Sequence, residues 1–131
     1  MNIVTGYIPT PEGIAAVDHA IAQAKAFGAH LTVVNTGKDG NYADPVFASG
    51  QDLDALTAQL RAEGVEHDVL QPTDGATAAT SILSAAEQVG ADLVVIGIRR
   101  RSPVGKLITG STAQAVLLGA ECPVVAVKPK H

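Results

Sequence analysis

The stretch richest in chemical possibility runs Gly97-Ile-Arg-Arg-Arg-Ser-Pro-Val-Gly-Lys-Leu-Ile-Thr-Gly110-Ser111-Thr112. Arg99, Arg100, Arg101 and Lys106 place four cations within eight residues of a chain whose formal net charge is −4. A guanidinium grips a phosphate or carboxylate through two parallel N–H···O bonds. Gly110-Ser111-Thr112 reads as the opening of a helix, where free amides, two hydroxyls and the positive end of the helix dipole attract an anion. Two plainer readings stay open: Ser111 or Thr112 as an ordinary helix cap, and the basic run as a solvated loop.

Sharper phosphate motifs fail on spacing. Seven residues separate Gly97 from Gly105-Lys106 and Leu107 follows, whereas a P-loop needs four residues and then Ser or Thr. No G-x-G-x-x-G follows a strand-like run. A phosphorylatable receiver would carry acidic residues after the first strand; Tyr7-Ile8-Pro9-Thr10 stands there instead. His19, His30, His67 and His131 share no ligand spacing, so no metal site is expected. Ser102 and Ser111 lack a His or Asp partner at a recognisable spacing. Cys122, the single cysteine, forms no internal disulfide and reads as a small buried filler before Pro123.

The elements that must position these residues announce themselves by punctuation. Gly28, Gly64, Gly90 and Gly119 each end a helix-like segment and precede a β-branched, apolar run. Ile14, Val17, Ile21 and Ala24 fall on one helical stripe; Leu53, Leu56 and Leu60 on a second; Ala79, Ile82, Leu83, Ala86 and Val89 on a third. Residues 93–96 and 124–127 are continuous apolar runs, as in strands covered on both faces, while 65–70 is more polar and suits a sheet edge. The pattern predicts strands at 2–8, 30–36, 65–71, 92–97 and 123–128, and helices at 11–27, 49–63, 76–89 and 110–118. The polar stretch 37–50 reads as a mobile surface loop.

Strict strand–helix alternation predicts one α/β domain over 1–131, a doubly wound parallel sheet with helices on both faces. A strand order 3-2-1-4-5 would reverse between the first and fourth strands. Ligands of such sheets bind beyond the strands' carboxyl ends at that reversal. Tyr7–Pro11 and Gly97–Thr112 would then line one crevice.

Composition bounds the rest. With 47% apolar and 17% charged residues the chain is globular in character, and 3% aromatics leave the core to Ala, Val, Leu and Ile. An acidic balance argues against general nucleic-acid or membrane-surface binding. No apolar run approaches the roughly 20 residues of a membrane span, and the amino terminus lacks the basic start of a signal peptide, so a cytoplasmic domain is expected.

The β4–α4 segment, together with Cys122-Pro123-Val124-Val125-Ala126-Val127-Lys128, resembles the universal stress protein family. The resemblance spans essentially the whole chain and implies a five-stranded, Rossmann-like fold. Many members bind ATP through Gly, two residues, Gly, nine residues, then Gly-Ser or Gly-Thr. Gly97 and Gly110-Ser111 match; Arg100 replaces the middle glycine. Either its side chain fills the phosphate space, or it pairs with an anion beside Arg99, Arg101 and Lys106. Relatives that bind ATP carry an Asp near the end of the first strand, where this chain has Tyr7. That ring either contacts a base or blocks the pocket. Pro9 and Pro11 stiffen the turn, Thr10 suits a helix cap, and Asn35 and Thr36 take the positions flanking the adenine.

The resemblance therefore implies a small regulatory stress-response module. Its adenine-nucleotide site (ATP, AMP or a similar anion) would be built from Tyr7, Pro9, Thr10, Thr36, Ile96, Gly97, Arg99, Arg100, Arg101, Gly110, Ser111 and Thr112. It also implies a homodimer paired through Val124, Val125 and Val127, an apolar edge that needs cover. The alternative is a dimeric interaction protein of the same fold without nucleotide binding. No acidic metal ligand is evident at the crevice, so an enzyme is not expected, at most a slow ATPase.

Overall fold

A computed structural model describes residues 1–8, 10–35, 50–72, 76–98 and 110–129, with Gly50, Gln51, Gly110 and Ser111 described by backbone alone. The elements are β1 (Asn2–Tyr7), α1 (Pro11–Phe27), β2 (His30–Asn35), α2 (Gly50–Ala62), β3 (His67–Leu70), α3 (Ala78–Val89), β4 (Leu93–Gly97), α4 (Gly110–Gly119) and β5 (Val124–Val127). The predicted loop 37–50 lies outside the described residues except for the backbone of Gly50.

Glycine ends three of the helices as the punctuation predicts. Gly28, Gly64 and Gly90 have φ of 61°, 71° and 63°, a left-handed conformation that a Cβ disfavours. The next amides reach back five residues: Ala29 to Ala24, Val65 to Leu60 and Ala91 to Ala86, at 2.9, 3.1 and 2.9 Å. Val65 is thereby spent on closing α2, and β3 opens at His67 rather than at 65. Gly119 differs. It is the last residue of α4 and has no positive φ; a Cβ there would come 2.9 Å from Leu83 Cδ1, the tip of a flexible side chain on α3. α3 begins at Ala78, not 76, because Thr77 caps it, its hydroxyl accepting from the Thr80 amide at 3.2 Å.

The five strands form one parallel sheet in the order β3-β2-β1-β4-β5. Register pairs Ile3 with Leu31 and with Leu93, Val95 with Val125, and Leu31 with His67. Alternation along the strands sorts the core into two layers. Ile3, Tyr7, Leu31, Val33, Leu93 and Val95 pack with Val17 and Ile21 of α1 and Leu56 and Leu60 of α2. Val4, Val34, Val94 and Ile96 pack with Ile82 of α3 and Val116 of α4.

The buried stripe of α1 is Gly13, Ala16, Val17, Ala20, Ile21 and Ala24, and Ile14 is half exposed instead of buried. Small residues carry the contact, so α1 lies close on the sheet. β3 is an edge strand, as its polarity suggests. β5 is the other edge. Its Val124, Val125 and Val127 are only partly buried, so the continuous apolar run there does not mean cover on both faces. Cys122 too is partly buried, at the margin of the second layer.

Candidate functional site

The sheet order reverses at the β1–β4 pair, where Val4 lies opposite Val94 and Thr5 opposite Val95. Thr5 is fully buried and its hydroxyl donates to the Val95 carbonyl at 2.9 Å, tying the two strands together just below their carboxyl ends. Two glycines seat the first turn of α1 against those ends. A Cβ on Gly97 would run into the Glu12 carbonyl, and a Cβ on Gly13 into the Ile8 carbonyl. Gly97 is therefore required by backbone packing as well as by any ligand motif.

That packing leaves α1 a poor anion site. Thr10 caps it, its hydroxyl accepting from the Gly13 amide at 3.2 Å. Pro11 brings no N–H, and Glu12 adds a carboxylate to the first turn. α4 has the opposite character: it opens on Gly110-Ser111-Thr112 with no acidic residue in its first turn. Its Gly110, Ser111 and Thr112 stand within the helix, so none of the three is the residue before it.

Tyr7 lies in the core layer beneath α1 and α2, 9% exposed. Burial, and then the Asp52 carboxylate in the first turn of α2, raise its phenol above the usual value. The ring is a packing residue held neutral, not a free stacking platform. Ile96 likewise sits in the opposite core layer, so its side chain is spent on α3 and α4. Pro9, Thr36, Arg99, Arg100 and Arg101 fall outside the described residues.

Sequence reasoning missed one polar connection across the strand ends. Asn35 is fully buried; its amide donates to the Tyr7 carbonyl at 3.0 Å, and its oxygen accepts from the Gln71 amide at 3.1 Å. This links the carboxyl ends of β1, β2 and β3 beside the crevice. A polar residue directly after the apolar pair Val33-Val34 was the available hint.

The described histidines have their own partners: His19 meets Gln23 at 3.3 Å, His30 meets Asp68 at 2.9 Å, and His67 meets the Val65 carbonyl at 2.8 Å. Among the described residues no group of three His, Cys, Asp or Glu could hold a metal ion, and no helix is long and apolar enough to cross a membrane.

Comparison with known proteins agrees with this architecture. Residues 1–128 match the model of the universal stress protein family. A universal stress protein of Mycolicibacterium smegmatis (strain ATCC 700084 / mc(2)155) is 43% identical over 127 residues, covering 97% of each chain. The structure of a universal stress protein from Archaeoglobus fulgidus superposes with a TM-score of 0.78 at 32% identity, over 98% of both chains. Another from Archaeoglobus fulgidus, in complex with dAMP, gives a TM-score of 0.73 at 25% identity, again over 98% of both chains. This chain belongs to the universal stress protein family.

Proposed function

We propose that the protein is a regulatory stress-response module that binds an adenine nucleotide where β1 and β4 end, and that it acts by binding rather than by catalysis. The observation that carries the reading is the contrast between the two helix starts at this end of the sheet. α1 is closed by Thr10, Pro11 and Glu12, whereas α4 offers Gly110, Ser111 and Thr112 without an opposing carboxylate. The phosphates would sit at the start of α4, with Arg99, Arg100 and Arg101 supplying countercharge from the connecting segment. The dAMP complex of the Archaeoglobus fulgidus relative supports the ligand class. With Tyr7 turned into the core, the base would meet backbone at the ends of β1 and β2, including the segment around Thr36.

Pairing of two copies through the half-buried Val124, Val125 and Val127 edge of β5, in the cytoplasm, belongs to the same reading. A second reading, a dimeric interaction protein without a nucleotide, draws on Tyr7: β1 presents neither a carboxylate nor a free ring to a nucleoside.

Calorimetry with ATP, AMP and cyclic AMP separates the two. Saturable heat at micromolar concentration from any of them supports the first reading, and flat traces with all three support the second. Arg100→Ala should weaken binding in a salt-dependent way. If Arg100 instead occludes the site, Arg100→Gly should strengthen ATP binding.

A further inference from the structure

We propose that the groove between α3 and α4, at the amino end of the sheet, docks a basic amphipathic peptide segment of a partner protein. The groove measures about 600 Å³, and Leu83, Ala86, Gly119 and Ala120 are among its lining residues. The two helices come close here: a Cβ on Gly119 would lie 2.9 Å from Leu83 Cδ1. Such a lining accepts an apolar side chain.

The charged residues of the lining have one sign. Among the described residues, Glu87 and Glu121 line the groove and no lysine or arginine does. Asp92 stands at the same end, one carboxylate oxygen accepting from the Asn2 amide at 2.8 Å. Both helices also finish here, α3 at Val89 and α4 at Gly119, with no basic residue in either last turn. Their carbonyl ends add to the negative potential. A carboxylate or phosphate ligand would be repelled, so this groove is unsuited to the nucleotide proposed for the other end of the sheet. An apolar side chain flanked by lysine or arginine satisfies both the apolar and the acidic residues of the lining.

The test selects peptides from a random displayed library on the full-length protein and measures the enriched ones by fluorescence anisotropy. Enriched sequences should join an apolar residue to a neighbouring lysine or arginine. Their affinity should fall at least tenfold in Glu87→Lys/Glu121→Lys and in Ser84→Trp, which fills the groove from an exposed position on α3. Bound peptide should also slow alkylation of Cys122, the chain's single cysteine and a lining residue of the groove. The proposal is overturned if no sequence is enriched, if enriched sequences lack cations, or if both variants bind them as wild type does. It is also overturned if the groove's occupant proves to be a second copy, seen as self-association that Ser84→Trp abolishes.

Discussion

Gly97 and Glu12 pack backbone to backbone, with the Glu12 carbonyl occupying the space where a Cβ of residue 97 would lie. The close contact joins the end of β4 to the first turn of α1, and a rigid carbonyl cannot step aside as a flexible side chain can. Gly97→Ala should therefore destabilise the fold by about 3 kcal/mol, the upper part of the usual overpacking range. Urea unfolding measures this, and a loss below about 0.5 kcal/mol would show that α1 adjusts freely.

The link between Gly97 and Glu12 shows where sequence reading succeeds and stops. Glycine after an apolar strand was legible as a motif position, but its packing partner lies far away in the chain and leaves no local trace. The helix stops at Gly28, Gly64 and Gly90 were legible because a left-handed residue favours glycine wherever it occurs. Gly119 looked the same, although it ends α4 without a left-handed conformation. Ile14 was misplaced because the buried side of α1 is mostly glycine and alanine, which hydropathy ranks below isoleucine. At the site, the order of strands located the crevice, while the inward packing of Tyr7 depended on Leu56 and Leu60 of α2, far along the chain.

Asn35 holds three strand ends together through Tyr7 and Gln71. Asn35→Ala should cost about 1–3 kcal/mol, since it strips two hydrogen bonds from a site without solvent. Gln71→Ala, on the exposed side of the same link, should cost under about 1 kcal/mol. Equal losses in the two variants would contradict a buried role for Asn35.

Tyr7 should make the protein alkali-sensitive. Its folded-state pKa is raised, so its contribution is intact below the unfolded value and is lost as pH climbs through the folded one. Between those values stability should fall by up to about 1.4 kcal/mol per pH unit from this group alone. Urea midpoints from pH 8 to 11 should decline less steeply in Tyr7→Phe than in wild type. Parallel declines would place the sensitivity elsewhere.

Cys122 should react slowly despite its partial exposure. Burial, with a contribution from Asp92, raises its thiol pKa against the lowering effect of its backbone hydrogen bond. Iodoacetamide at pH 8 should modify it several-fold more slowly than free cysteine, because the thiolate is the reactive form. Asp92→Asn should accelerate the reaction, and a rate equal to free cysteine in the native protein would contradict this assignment.

An adenine nucleotide bound where β1 and β4 end would perturb backbone amides there during an AMP titration of the ¹⁵N-labelled full chain. Saturable shifts are expected at Thr10, Gly97, Ile98, Gly110, Ser111 and Thr112, with Glu87, Ala91 and Glu121 at the far end unmoved. An unchanged spectrum at millimolar AMP, or shifts gathered at that far end instead, would contradict binding where β1 and β4 end.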